Sequence, residues 1–284
     1  EAVEAALKFA AMASGRKRFV ACRNGYHGKT LGALSATDSA KYRAPFEPLL
    51  WEFEHVAYAN AEAACRALDE RTAAIIVEPV QGEGDVRVPP PGYLPEVRRA
   101  ATEAGVLLIV DEIQTGCGRT GAFLALERDG IVPDIVCLGK GLGGGIPIGA
   151  TAVARPVASR IPRGVHTSTF GGNPLACAGV LAVLELLTDE RLAQTAELGD
   201  RFAARLRNAL PPPASVRGRG LMVGVSAGSR RDEILKALQR ERILAIPAGS
   251  DVVRFLPPYI VSAEDLDRAA DTLARCLESA KPGG

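Results

Sequence analysis

The sequence predicts an α/β fold, with a mostly parallel central sheet flanked by helices and a small C-terminal α+β domain. Three observations predict it. Thr72-Ala-Ala-Ile-Ile-Val-Glu78, Val106-Leu-Leu-Ile-Val-Asp111 and Ile135-Val-Cys-Leu-Gly-Lys140 are apolar runs of strand length that each meet a polar residue at the far end. Strands apolar on both faces belong in a sheet covered on both sides. Helical segments alternate with such runs, which is how parallel strands are joined. Lastly, Pro211-Pro212-Pro213 breaks the chain after two long helices. The expected division is a large domain over residues 1–190 and a small one over 191–284.

Taken in order, Glu1 to Ser14 reads as an amphipathic helix closed by Gly15. It opens with neither Met nor an N-capping residue, as a chain cut inside its first helix would. A short strand over 18–23 leads through Asn24-Gly-Tyr26-His27-Gly-Lys29-Thr30 into a helix, and residues 40–55 read as irregular. Helices are expected near 60–69 and 93–104, on either side of the first apolar run and the triple proline 89–91, then over 173–188 and 190–210. The last part should hold strands near 215–226 and 252–256 and helices near 230–241 and 263–279.

Composition excludes several classes of function. The chain of 284 residues is 47% apolar and 24% charged with a net charge of +1, so it carries no basic footprint for nucleic acid. Its longest apolar stretch, Pro174 to Leu184, is too short to span a bilayer. The six cysteines form no C-x-x-C pair and read as reduced thiols of a cytoplasmic protein. No two histidines lie at helical spacing and Glu83 stands alone on its loop, so no metal site is expected.

Beyond the carboxyl ends of parallel strands is where such sheets bind ligands, and Glu78, Asp111 and Lys140 are all placed there. Lys140 is one of seven lysines, has no acidic neighbour between Asp134 and Glu185, and opens onto Gly141-Leu-Gly-Gly-Gly145. By itself it could be a surface lysine. A lone lysine at a strand end, with glycines that let a ligand approach, is also what Schiff-base chemistry needs. Two other motifs fail in context. Gly139 to Gly144 matches a dinucleotide fingerprint but lacks the acidic residue that should follow. Gly224-Val-Ser226-Ala-Gly228 matches a hydrolase elbow, yet all three histidines precede it.

The surviving constellation is Lys140 with Asp111, an anion suited to hold a pyridine nitrogen protonated. Around it stand Tyr26-His-Gly-Lys-Thr30, Glu78-Pro-Val-Gln-Gly-Glu83-Gly84, Asp111-Glu-Ile-Gln-Thr-Gly116, Gly118-Arg-Thr-Gly121, Leu138-Gly-Lys140-Gly-Leu-Gly-Gly144, Thr169-Phe-Gly-Gly-Asn-Pro174 and Arg254-Phe255. In this order the set resembles the class III, or ω-type, aminotransferases of the pyridoxal-phosphate fold-type I superfamily. The resemblance runs from residue 1 to about residue 260 and lacks the family's N-terminal segment and phosphate-binding Gly-Ser/Thr loop.

The resemblance implies the following roles. Lys140 forms the Schiff base with pyridoxal 5′-phosphate and shuttles the proton. Asp111 pairs the pyridinium nitrogen, Gln114 contacts the ring oxygen, and Tyr26 and Ile113 sandwich the ring. Thr169 reaches the cofactor phosphate of a neighbouring subunit, so the active protein should be a homodimer with shared sites. Arg254 grips a substrate carboxylate, and Glu83 pairs with Arg254 when the other substrate lacks one. Lys29 stands where relatives acting on ornithine derivatives carry arginine, which leans the reading towards the putrescine and diamine enzymes.

The expected reaction is transfer of a primary ω-amine to a 2-oxo acid, 2-oxoglutarate above all. The alternatives are an acetylornithine or ornithine aminotransferase, a racemase, aminomutase or decarboxylase of the same class, and an inactive fragment. A nicotinamide oxidoreductase is disfavoured by the missing acidic residue.

Overall fold

Six strands build the first sheet of the computed structural model, which describes residues 1–210 and 212–279. The chain divides into two units. The first comprises Glu1–Pro79, Pro89–Cys117 and Leu124–Leu187; the second comprises Val80–Val88, Gly118–Phe123 and the chain from Thr188 onward. Pro211, first of the three prolines expected to break the chain, lies outside the described residues, as do positions 280–284.

In the first unit the strands are β1 (Arg18–Cys22), β2 (Glu52–Val56), β3 (Thr72–Val77), β4 (Leu107–Asp111), β5 (Ile135–Leu138) and β6 (Ala150–Val153). Their order is β2-β1-β3-β4-β5-β6, parallel throughout except for β6, which runs antiparallel to β5. The helices are α1 (Ala2–Ser14), α2 (Leu31–Ala36), α3 (Ala40–Arg43), α4 (Ala61–Ala67), α5 (Tyr93–Glu103), α6 (Arg155–Ala158) and α7 (Pro174–Leu186).

Successive side chains of a strand point to opposite faces, and here they divide between two cores. Phe19, Ala21, Ala74, Ile76, Ile109 and Ile135 pack with Val3, Ala6, Leu7 and Ala10 of α1. Val20, Cys22, Ile75, Val77, Leu108 and Val110 pack with α4 and α5 through Ala64, Leu94, Val97 and Ala101. The unit is thus a layered helix–sheet–helix body, as the apolar runs predicted. Gly15 closes α1 in a left-handed conformation, its N–H bonded to the Ala11 carbonyl. Asn60 and Asn173 cap α4 and α7 by accepting the backbone N–H of Ala63 and Ala176.

Three short strands were not expected from the sequence. Residues 40–55, read as irregular, contain α3 and the edge strand β2. Its Glu52 and Glu54 carboxylates take the guanidinium of Arg18, which is buried in β1. The two prolines and Trp51 made the stretch look irregular, and the glutamates of its strand are the partners of an arginine inside the sheet. β6 and β9 (Ile246–Ala248) have only four and three residues and no apolar run to mark them.

The second unit holds β7 (Val216–Arg219), β8 (Met222–Ser226), β9 and β10 (Val252–Phe255) in the antiparallel order β7-β8-β10-β9. Helices α8 (Asp189–Ala209), α9 (Arg231–Arg240) and α10 (Ala263–Ser279) cover one face. Phe202, Leu206, Ile234, Leu238, Leu266 and Leu273 meet Val223, Val225, Val253 and Phe255 there. On the other face Met222, Ala248 and Val252 pack with Val80 and Val86. The segment 80–88 therefore stands in for a covering helix. Gln81 and Arg87 exchange both backbone hydrogen bonds at 3.0 Å, closing a hairpin around Gly82 to Val86. At its corner Asp85 (φ +70°) and Val86 (φ +50°) are both left-handed, a conformation that costs a β-branched residue about 1–3 kcal/mol.

Candidate active site

Lys140 follows β5 by two residues and opens a short 3₁₀ turn with φ +43°, in the left-handed region. Its side chain is exposed. The sequence placed this lysine at a strand end, where by itself it could be a surface residue. Gly139 and the turn carry it past the end of the strand into solvent contact. It lines a cavity of about 490 Å³ with Ile113, Leu138, Ile146, Pro147 and Ile148. The glycines after it serve two purposes. A Cβ on Gly143 or Gly144 would come within 2.9 Å of the Ile148 or Val183 side chain, so these two permit close packing rather than ligand approach. Gly145 (φ +106°) faces open space and borders the cavity.

Asp111 ends β4, level with Cys137 of the neighbouring strand and two residues short of Ile113. It is buried, and each oxygen is engaged: Oδ1 accepts the Ile113 N–H at 3.1 Å and Oδ2 bonds His27 Nδ1 at 2.8 Å. His27 was not singled out as a site residue from the sequence. Burial works to lower its pKa, but the hydrogen bond and charge of Asp111, with the charge of Glu78, outweigh it and the imidazole titrates above its ordinary value. Its Nε2 is buried with no hydrogen-bond partner. The one sequence signal that could have found it is its place beside Tyr26 in a glycine-flanked loop; its partner lies 84 residues away.

Glu78 closes β3, buried, and accepts the Tyr26 N–H at 3.0 Å, so both strand-end acids, Glu78 and Asp111, hold the 26–27 loop. The Tyr26 ring is half-buried and meets Tyr42 edge-on at 6.1 Å. Lys29 is exposed, its Nζ 4.6 Å from the centre of the same Tyr42 ring. Gln114 is half-buried, one turn past Asp111. Between them Glu112, also overlooked in the sequence, is buried and accepts the Leu126 N–H at 2.9 Å and the Thr115 hydroxyl. Burial pushes its carboxyl up to about 7. Thr169 is exposed and lines a different cavity, of about 680 Å³, with His166 and Phe170. The two cavities share Glu1, Ala2 and the stretch Pro147 to Gly149.

Glu83 and Arg254 lie in the second unit. Arg254 is buried in β10, an inner strand, and donates from Nη2 to Glu83 Oε1 at 2.7 Å and from Nη1 to the Gly82 carbonyl at 2.6 Å. The Glu83 side chain is 41% exposed against 4% for Arg254. A buried guanidinium thus holds a carboxylate that water can reach. Among the described residues no cluster of three or more His, Cys, Asp or Glu could hold a metal, and no helix is long and apolar enough to cross a membrane.

The family model of the class III aminotransferases matches residues 1–277. The chain is a class III aminotransferase. It is 48% identical over 282 residues to the acetylornithine aminotransferase of Methanopyrus kandleri, covering 98% of this chain and 72% of that protein. The acetylornithine aminotransferase of Mycobacterium tuberculosis is 42% identical over 283 residues, 99% of this chain and 70% of that one. Among solved structures, the ornithine aminotransferase of Toxoplasma gondii superposes with a TM-score of 0.93 at 37% identity, covering 98% of this chain and 70% of that one.

As a class III aminotransferase the protein transfers an amino group and uses pyridoxal phosphate, on the α/β architecture of fold type I. The residues present fit that group. An exposed lysine amine and the Ile113 side chain border one cavity, and the buried Asp111 carboxylate, the complement of a pyridinium, stands two residues from Ile113. The hydrogen bond between His27 Nδ1 and Asp111 Oδ2 holds that carboxylate in place.

Proposed function

We propose that this aminotransferase moves the terminal amino group of an ornithine-type ω-amine, N-acetylornithine above all, to 2-oxoglutarate. The observation that carries the reading is the Arg254–Glu83 pair. The two substrates differ at the reacting carbon: the 2-oxo acid carries a carboxylate there and the ω-amine carries none. Arg254 grips that carboxylate in one half-reaction, and Glu83 neutralises the guanidinium in the other, so no charge is left buried and alone. The named relatives support ornithine-type donors over the diamine expected from Lys29. Lys29 is exposed, and as a point charge it suits a single-contact hold on the donor's distant carboxylate.

Bound beside Lys140, pyridoxal phosphate supplies the carbonyl carbon that takes the amino group and the ring that accepts the electron pair of the broken C–H bond. Lys140 Nζ holds the cofactor at rest and then moves the proton off the reacting carbon. With the cofactor bound, the Asp111 carboxylate would keep the ring nitrogen protonated, Gln114 would donate to the ring oxygen, and Tyr26 and Ile113 would flank the ring.

The assembly that completes the site is a homodimer. Phe170 is 81% exposed, and Leu175, Leu181 and Leu186 of α7 are each more than half exposed on a helix whose one charge is Glu185. An apolar surface of this extent belongs in an interface. Burying it against a second copy brings the Thr169 hydroxyl to the cofactor phosphate of that copy.

The test is product stoichiometry. Incubated with pyridoxal phosphate, N-acetylornithine and 2-oxoglutarate, the protein should form the semialdehyde and glutamate one for one. Putrescine consumed faster than N-acetylornithine would restore the diamine reading; neither consumed would end both.

A further inference from the structure

The Glu83 hairpin is held in a way its own sequence does not require, and the hold is built from one row of the second sheet. In register across three strands stand Arg217 of β7, Gly224 of β8 and Arg254 of β10. Residues directly opposite in neighbouring strands present their side chains on one face, so two guanidinium groups flank a position with no side chain. Val86, fully buried, fills the gap: a Cβ on Gly224 would lie 2.8 Å from Val86 Cβ. Arg254 Nη1 holds the Gly82 carbonyl on one side. On the other, Arg217 Nε donates to the Asp85 carbonyl at 2.6 Å. Gly249 N–H donates to the carbonyl of Glu83 itself at 2.8 Å.

The backbone on both sides of Glu83 is therefore pinned, while its carboxylate remains accessible. Asp85 and Val86 are left-handed without being glycine, a conformation that persists only where surrounding contacts enforce it. Arg217 supplies one of those contacts and is itself steadied by Ser226, whose Oγ accepts from Arg217 Nη1 at 3.1 Å. Ser226 is the serine of the hydrolase-like motif, and this is its use.

We propose that Arg217 is a positioning residue for substrate alternation: by clamping the Asp85–Val86 corner it sets how strongly Glu83 competes with a substrate carboxylate for Arg254. Alternation then proceeds by rotation of the Glu83 side chain on a fixed mount, not by movement of the loop. The inference rests on the transamination reading above and adds a residue that never touches substrate. Releasing the clamp lets the corner relax and weakens Glu83 as a competitor. Binding of 2-oxoglutarate should then tighten, while binding of the ω-amine, which needs Glu83 on Arg254, should weaken.

The experiment measures the two half-reactions separately in the wild type, Arg217→Met, Glu83→Gln and the double variant. In Arg217→Met the apparent KM should fall about threefold for 2-oxoglutarate and rise about threefold for N-acetylornithine. In the Glu83→Gln background the same substitution should add nothing, because its effect runs through Glu83. Amide exchange over residues 82–86 should accelerate in Arg217→Met and not in Glu83→Gln, a readout independent of turnover. Should Arg217→Met fail to fold, Arg217→Lys, which keeps the charge but loses the planar fork, should give the same opposed shifts in smaller size. Equal losses in both half-reactions, additive effects in the double variant, or unchanged exchange would overturn the inference. A wild type without either half-reaction would overturn the transamination reading instead.

Discussion

In the six-stranded sheet Glu78 and Asp111 stand at strand ends and Lys140 just past one, whereas in the four-stranded sheet Arg254 sits mid-sheet among buried valines. The difference follows from strand direction. Parallel strands all deliver their carboxyl ends to one edge, so polar residues from distant parts of the sequence gather there with no break in the apolar core. An antiparallel sheet has no such edge. A charge that it contributes must come from a face, and must bring its own counter-charge: Arg254 has Glu83, from a hairpin 171 residues earlier. Replaceable chemistry sits at the edge of one sheet, and chemistry tied to stability sits within the other.

That contrast can be broken by mutation. Lys140→Ala should lower turnover by about a thousandfold or more, since the amine proposed to hold the cofactor and move the proton is gone. It should leave the thermal midpoint within a few degrees, because the side chain is exposed; a variant that retains full activity would remove Lys140 from the mechanism. Arg254→Leu should do the reverse to stability. Loss of the buried partner of Gly82 and Glu83 should cost about 2–3 kcal/mol in urea unfolding, less than a fully buried pair because Glu83 is half-exposed. No loss would mean that the pair is not what secures the hairpin.

The smallest effect concerns Glu112, a strand-end neighbour with a structural task. Its folded pKa, about 7, lies above the 4.5 of an ordinary glutamate. As pH rises through that window the unfolded chain ionises first, so the stability present below pH 4.5 is lost by pH 7. Glu112→Gln, which keeps an acceptor for Leu126, should flatten this slope and stand about 1–2 kcal/mol above the wild type at pH 8. Parallel unfolding curves for the two proteins from pH 5 to 8 would show that the edge carboxyls do not carry a pH-dependent load.

Much of the first sheet was legible because β3, β4 and β5 are apolar on both faces and end in a polar residue. β2 was not, because it follows two prolines and Trp51, and an edge strand whose Glu52 and Glu54 pair with a buried Arg18 carries no apolar run. Asp111 could be picked out by position alone. Its partner His27 could not, since nothing local to either residue points to the other. Glu83 and Arg254 had no bottom-up signal: a glutamate among glycines and an arginine in a short strand are unremarkable until they are 2.7 Å apart. Lys140 could be placed at a strand end, but not in its left-handed turn, because the turn after Leu138 starts at Gly139 and is not written in the strand's hydrophobicity.

The left-handed backbone at Lys140 also sets this residue against the economy of its own fold. Glycine would rest at φ +43° without penalty, and an exposed side chain contributes no packing to compensate. Lys140→Gly should therefore be both inert and more heat-resistant than the parent by about 1 kcal/mol. Any selection for thermal tolerance that ignores turnover will drift towards losing this lysine, so a search for hardier forms of the enzyme has to screen for activity at every round.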